Sequence, residues 1–253
     1  MHRFALAETA QETFIVRTSD LLIGERLFIT GDYEFGKVMA ALDLIGRIPA
    51  LLIDVGANIG TVCIPAVNRG LFRSAVAIEP VPGNVALLRA NVALNGLSDK
   101  IAIHQVACGA SDGATVEMEL SPTNHGDHRI RTTDAAGKYG EDQWPTMAVP
   151  LMSLDTLCPQ ADMLIWMDTQ GFEGFVLAGA KRILSERPPV VAEFWPYAMR
   201  RTGSLEAFIE ATAHYTKFTD LDSGTNYPMS RIRDFWREAY GPDWMSYTDI
   251  LIQ

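Results

Sequence analysis

Ala50-Leu51-Leu52-Ile53-Asp54-Val55-Gly56-Ala57-Asn58-Ile59-Gly60 runs from an almost continuously apolar segment into a turn bounded by two glycines. Residues 50–55 read as a strand buried on both faces, because a half-solvated strand would alternate polar and apolar side chains. Gly56 and Gly60 permit a tight turn and a close approach of backbone to a ligand. A helix is expected from about residue 60 to residue 68, and its free N–H groups would favour an anion. Strand, glycine turn and helix in that order open a βαβ unit, and with it a parallel sheet covered by helices.

The pattern continues outward from this stretch. Residues 74–78 make a second strand that ends at Glu79, and a helix over 83–94 is stopped by Asn95-Gly96, a good C-cap signal. A third strand is expected over 101–107, a fourth over 163–167 ending at Asp168, and a fifth over 190–194. Helices are expected over 173–185 and 204–213. Segments 215–219 and 247–252 read as a final pair of strands, antiparallel at the far side of the sheet. The expected fold is α/β: a doubly wound, mostly parallel, seven-stranded Rossmann-like sheet.

Two segments depart from this rhythm. Residues 114–120 and 147–151 look extended and flank a polar stretch, 121–144, rich in Gly, His, Asp and Arg. They read as a β-hairpin insertion near 114–151 with a long tip, and tips of that length inside a domain are usually functional. The first 48 residues, with a strand over 13–17 and a helix over 32–45, read as an N-terminal extension lying over the ligand edge of the sheet. The chain is expected to form one domain, with residues 49–253 as the core.

Composition narrows the function. The chain has 253 residues, 48% of them hydrophobic, and a formal net charge of −10. A field of that sign opposes nucleic acid and anionic lipid, and the basic clusters at Arg200-Arg201 and 231–237 carry too few charges to reverse it. Cys63, Cys108 and Cys158 are odd in number and lack a CxxC pair, which suits reduced, buried thiols better than a disulfide framework or zinc knuckle. No signal-like or membrane-length apolar run is present, so a cytoplasmic protein is expected.

The turn after the first strand can be asked which ligand it suits. A dinucleotide loop, G-x-G-x-x-G, needs its second glycine to admit a pyrophosphate. Here Asn58 occupies that position, and Asp54 stands beside the N–H groups, where its charge would repel a pyrophosphate. A zwitterion fits better, its carboxylate toward the helix start and its ammonium toward Asp54. The methionine end of S-adenosylmethionine is such a group. Glu79, 25 residues after Asp54, is placed to accept hydrogen bonds from ribose hydroxyls, which supports an adenosine cofactor without separating NAD from S-adenosylmethionine.

Several motifs then occur in a recognisable order: residues 53–60 (Ile-Asp-Val-Gly-Ala-Asn-Ile-Gly), Ile78-Glu79-Pro80, Asn95-Gly96-Leu97, and Val149-Pro150-Leu151-Met152-Ser153-Leu154-Asp155. Asp168-Thr169-Gln170-Gly171-Phe172-Glu173 follows, and after it Val176-Leu177-Ala178-Gly179-Ala180. Over residues 51–196 the chain resembles the FkbM family of methyltransferases. The resemblance implies a class I methyltransferase fold and S-adenosylmethionine-dependent methylation, usually of a hydroxyl on a small molecule or sugar. It places Asp54, Gly56, Asn58 and Gly60 at the methionine end, Glu79 at the ribose, Ala107 near the adenine, and Asp168 beside the transferred methyl group.

Methylation of a hydroxyl requires aligned reactants and a route for one proton. Candidate bases are Asp168, Glu173, Glu193 and the tip segment Asn124-His125-Gly126-Asp127-His128-Arg129. Asp168, at the exit of the fourth strand, is the first choice by location, although an aspartate there also caps helices. Glu173 is expected in the first turn of a helix, where the dipole alone would account for it. Glu193 stands near Trp195 and Tyr197 as an acceptor-pocket wall or as plain edge packing. His128, with His125 and Asp127 nearby, is the second choice of base; the two histidines could also ligate a divalent metal, or the loop could be solvated with no chemistry, and no metal is expected. The rival readings are an NAD-dependent oxidoreductase and a catalytically inactive, cofactor-binding assembly partner.

Overall fold

The computed structural model describes residues 3–235 and 246–253, so Arg237 of the second basic cluster lies outside the described residues. The chain begins with a hairpin, β1 (Phe4–Glu8) and β2 (Thr13–Arg17), then α1 (Ile23–Thr30) and α2 (Phe35–Ile45). β3 (Leu51–Val55), α3 (Cys63–Asn68), β4 (Ser74–Ile78), α4 (Pro82–Leu94) and β5 (Ile101–His104) follow. The insertion contributes β6 (Ala107–Cys108), β7 (Ala114–Glu119), β8 (Arg129–Ile130) and β9 (Thr146–Met152). Next come α5 (Leu154–Leu157), β10 (Met163–Met167), α6 (Glu173–Ala178), α7 (Lys181–Leu184) and β11 (Val190–Phe194). α8 (Pro196–Thr202), α9 (Leu205–Thr212), β12 (Lys217–Asp220), β13 (Asn226–Pro228) and β14 (Thr248–Ile252) complete the described chain.

The main sheet runs β13-β12-β14-β11-β10-β3-β4-β5. From β5 to β11 neighbouring strands are parallel, and β14, β12 and β13 pair antiparallel. All seven expected strands are in it, joined by a three-residue edge strand, β13, which is too short to show a period in sequence. The chain winds one way from β3 through β4 to β5 and the other way from β10 to β11. Strand order therefore reverses between β3 and β10, where a ligand crevice belongs.

The central strands are apolar on both faces because they feed two cores, the exceptions being acids near their exits such as Asp54 and Glu193. Leu51, Ile53, Val55, Met163, Ile165 and Met167 pack on one face. Leu52, Leu164, Trp166, Val191 and Leu251 pack on the other, against α2, α3 and the N-terminal hairpin. Each such side chain contributes about 1.5–3 kcal/mol by leaving water.

The N-terminal extension is fastened by polar side chains as well as by packing. The Asn91 Oδ1 of α4 accepts the Ile15 N–H at 2.7 Å, and its Nδ2 donates to the Ile59 carbonyl at 3.0 Å. Asn95 exchanges two bonds with the Thr13 backbone, at 3.0 and 2.8 Å. Buried Glu12 accepts from Arg69 at 2.9 and 2.7 Å. β1 and α1 were not foreseen: Phe4, Leu6, Phe28 and Ile29 are exposed, so neither element carries a clean amphipathic pattern.

The insertion is larger than a hairpin. β7 pairs antiparallel with β9 and with β8, and β9 pairs parallel with β6, giving a separate four-stranded sheet in the order β6-β9-β7-β8. The expected third strand therefore stops at His104, and Ala107 belongs to the insertion's sheet. The expected helix over 173–185 is two helices broken at Gly179, where a Cβ would overlap the Gly109 carbonyl oxygen, so the break lets two backbones touch. Among the described residues no helix is long and apolar enough to cross a membrane.

Candidate functional site

The crevice at the reversal of strand order is floored by the exits of β3 and β10. The Asp168 N–H donates to the Val55 carbonyl at 3.0 Å, and the N–H groups of Gly56 and Ala57 donate to the Ile78 carbonyl at 2.9 and 3.1 Å. Gly56 has φ +86°, and a Cβ there would overlap the Asp168 carbonyl oxygen, so only glycine lets the two exits lie together. Asn58 also takes a left-handed conformation, φ +50°, which asparagine tolerates better than most residues.

Asp54 and Glu79 hold this turn from either side. The Asp54 Oδ2 accepts the Cys63 N–H at 3.1 Å at the start of α3, and burial pushes the carboxyl up to about 6. Glu79 accepts from the Asn58 N–H at 3.0 Å, the Val81 N–H at 2.9 Å and the Asn84 amide at 3.4 Å. Burial pushes its carboxyl up to about 7, against the pull of those bonds. A carboxylate offers about four acceptor positions, so one remains for a ligand hydroxyl.

Two cavities of unequal size share this floor. The smaller is walled by Ile78, Glu79, Ala107, Met118, His128 and Ile130. The larger takes in Asp54, Thr61, Gln170, Glu193, Trp195 and Asp249. Gly56, Asn58, Gly126 and Asp168 line both. The tip of the insertion crosses between them as a strap: the His125 carbonyl accepts from the Asn58 Nδ2 at 2.9 Å and the Asn84 Nδ2 at 3.1 Å. The Oδ1 atoms of both asparagines are buried without a partner, two acceptors turned to no group of the described chain. A Cβ on Gly126 would crowd Ile23, so the strap also rests on the N-terminal extension.

Asp168 sits at the junction of the cavities. Its carboxylate is open to the crevice yet surrounded by protein mass, and that desolvation pushes its carboxyl up to about 7. The Gln170 Nε2 donates to the Asp168 Oδ1 at 2.7 Å and to the Glu193 Oε2 at 3.2 Å, linking the two acids. Burial and then the charge of Asp168 push the Glu193 carboxyl well up. Glu173 lines neither cavity. Its Oε1 accepts the Thr169 N–H at 2.7 Å, the Thr169 hydroxyl at 2.9 Å and the Gly171 N–H at 3.3 Å, so it staples the turn after β10. Oxygens of Asp168, Glu173 and Glu193 lie within 4.8 Å of one another, the spacing a small cation would need. The two tip histidines, where sequence offered a metal alternative, do not make such a group among the described residues.

His128 lies in the smaller cavity, away from Trp195 and Glu193. Its Nδ1 accepts the Ser121 N–H at 3.0 Å, which leaves the proton of the neutral ring on Nε2. Burial, with His125 beside it, pulls the ring down to about 4. A neutral ring with its lone pair already occupied has no position for a substrate proton, which weighs against His128 as base.

Gln170, Asn84, Glu34, Tyr33, Tyr247 and Asp249 line or link the cavities and were not singled out from sequence. Asp249 left a signal, a lone acid inside the apolar strand β14. Lys37 of α2 donates to it at 2.6 Å across the mouth of the crevice.

A family model described as a methyltransferase FkbM domain matches residues 54–238. The 2-O-methyltransferase NoeI of Sinorhizobium fredii is 26% identical over 168 residues, 60% of this chain and 66% of that relative. The solved FkbM methyltransferase of Methylobacillus flagellatus KT is 18% identical, with a TM-score of 0.49 over 81% of this chain and 44% of that one. The structure of M. jannaschii TYW2 in complex with AdoMet superposes with a TM-score of 0.50 at 13% identity, covering all of this chain and 86% of that one. The chain thus spans about two thirds of the curated relative and less than half of the solved FkbM protein.

Proposed function

From the premise that this chain belongs to the FkbM methyltransferase family, we propose that it is an S-adenosylmethionine-dependent O-methyltransferase acting on a hydroxyl of a small molecule or sugar. The observation that carries the reading is the meeting of two cavities at Gly56 and Asp168, one walled by Glu79 and apolar side chains as a nucleoside needs, the other lined by carboxylates and aromatic rings. The whole chain serves as one methyltransferase domain.

The residues fit the cofactor. Glu79 keeps an acceptor position for ribose hydroxyls, Ala107, Met118 and Ile130 give an apolar wall for adenine, and His128 adds a neutral ring to that wall. Asp54 faces the larger cavity with Gly56, Asn58 and Thr61, the place for an ammonium. Gly60 shapes the turn from behind, since a Cβ there would overlap Ile64 and Leu88. S-adenosylmethionine supplies an electrophilic methyl group on a sulfonium, and its loss leaves a neutral thioether. Asp168 receives the acceptor hydroxyl's proton at Oδ2, its Oδ1 being held by Gln170. Glu173 positions the turn that presents Asp168, and acts through it.

The acidic crevice and the net charge of −10 argue against a nucleic-acid acceptor. Calorimetry with S-adenosylmethionine, S-adenosylhomocysteine and NAD tests the reading: the first two should bind, and binding of NAD alone would overturn it.

A further inference from the structure

The larger cavity has an uneven charge. Among the described residues Glu34, Asp54, Asp127, Asp168, Glu193 and Asp249 line it, and no Lys, Arg or His does. Two of the six acids are neutralised from behind the wall, Asp249 by Lys37 at 2.6 Å and Asp127 by Arg129. On the reading above, Asp54 and Asp168 offset the ammonium and sulfonium charges of the cofactor. That leaves Glu193, hydrogen-bonded to the neutral Gln170 amide, and Glu34, which at 3.9 Å shares the single charge of Lys37 with Asp249 and Asp222. Acids thus outnumber cations around the part of the cavity left for the acceptor, and a cation placed beside Glu193, whose carboxyl burial and Asp168 push well up, would favour its charged form.

The walls there are aromatic. Tyr139 and Tyr247 stand at the mouth, 45% and 52% exposed, and Trp195 lies behind them, 5% exposed. The Trp195 indole N–H is buried with no hydrogen-bond partner among the described residues, an unused donor for an acceptor oxygen. The Arg129 guanidinium, paired with Asp127, already lies over the Trp195 and Tyr139 rings at 5.2 and 5.7 Å, so a further cation is drawn to the Tyr247 ring and the carboxylates, which repel an anion.

Resting on the methyltransferase reading, we propose that this cavity selects an acceptor alcohol that carries a protonated amine, as a free aminosugar does, over N-acylated or anionic counterparts. The amine lies between Glu193 and the Tyr247 ring, and the Trp195 N–H donates to a neighbouring oxygen. Phosphorylated and carboxylated alcohols are rejected because no lining side chain among the described residues offers a cation to them.

The test is titration calorimetry of the full chain at neutral pH, with and without saturating S-adenosylhomocysteine, using glucosamine, N-acetylglucosamine and glucuronate as probes. Glucosamine should bind at least about tenfold tighter than N-acetylglucosamine, with glucuronate weakest. In Glu193→Gln or Glu34→Gln, folded by circular dichroism, that advantage should shrink to about threefold or less. Equal or tighter binding of either counterpart, no binding of glucosamine, or an advantage untouched in both variants would overturn the proposal. The two readings fail separately: if S-adenosylhomocysteine does not bind, the methyltransferase reading falls, while the preference measured without it still decides the character of the cavity.

Discussion

Asp168 and Glu79 answer different questions at the scale of single residues. Asp168 is raised to about 7 by burial in the crevice, so its base form populates as pH rises through that value. Turnover should therefore climb with pH along a one-proton curve near 7, a value that belongs jointly to Asp168 and Glu193 because Gln170 links them. Asp168→Asn should slow methyl transfer by about 10²–10⁴-fold with cofactor affinity retained, as measured by steady-state kinetics beside calorimetry. A pH-independent rate would remove it as the base. Glu79→Ala should weaken cofactor binding by about 1.5–3 kcal/mol, and an unchanged affinity in a folded variant would take Glu79 out of the ribose site. Sequence made both acids legible, since each ends an apolar strand. It could not separate Glu173 from Asp168, because only the three-dimensional turn shows Glu173 bonded back to Thr169 and Gly171. The surroundings of His128 were hidden for a similar reason: its loop is polar, yet the Ser121 N–H holds its lone pair.

Elements that touch one another through side-chain amides were the least legible. Asn91 joins β2, α4 and the turn after β3, and in sequence it is one polar residue in a helix. Asn91→Ala leaves the Ile15 N–H and the Ile59 carbonyl without their partner and should cost about 1–3 kcal/mol in chemical denaturation. Faster amide exchange over 4–17 should accompany that loss, and exchange unchanged there would show that packing alone docks the hairpin. Glu12 gives the same docking a pH dependence. Burial opposes its charge, but Arg69, Thr9 and Asn68 outweigh burial and hold the carboxyl below its ordinary value. That stability is present above the unfolded value near 4.3 and is lost as pH falls through the lower folded value. Glu12→Gln should remove this acid-side loss of hairpin protection, read by the same exchange experiment. The strap over residues 124–128 belongs to this scale as well. Its length marked it as functional, but its place between the cavities follows from bonds to Asn58 and Asn84 that no periodicity encodes.

Over the whole molecule, the parallel core was readable because buried strands must be apolar on both faces, and β3, β4, β10 and β11 are. The second sheet was only half readable: β6 and β8 are two residues long, shorter than any alternation can register. The crevice also makes a prediction for global stability. Asp54 at about 6, with Glu79 and Asp168 at about 7, holds protons more tightly folded than unfolded. Their contribution is full below about pH 4 and is lost as pH rises toward 7. The Tm of the ligand-free protein should thus fall between about pH 4 and pH 7, and the double variant Asp54→Asn, Glu79→Gln should flatten that fall; the same slope in both proteins would contradict it. The central claim is that the turn from Asp54 to Gly60 cradles the amino-acid end of the cofactor while Glu79 holds its ribose. A crystal structure with S-adenosylhomocysteine bound tests this most directly. The account predicts ribose hydroxyls on the Glu79 carboxylate, the ammonium beside Asp54 and the sulfur facing Asp168, and a ligand seated elsewhere, or with its ribose away from Glu79, would contradict it.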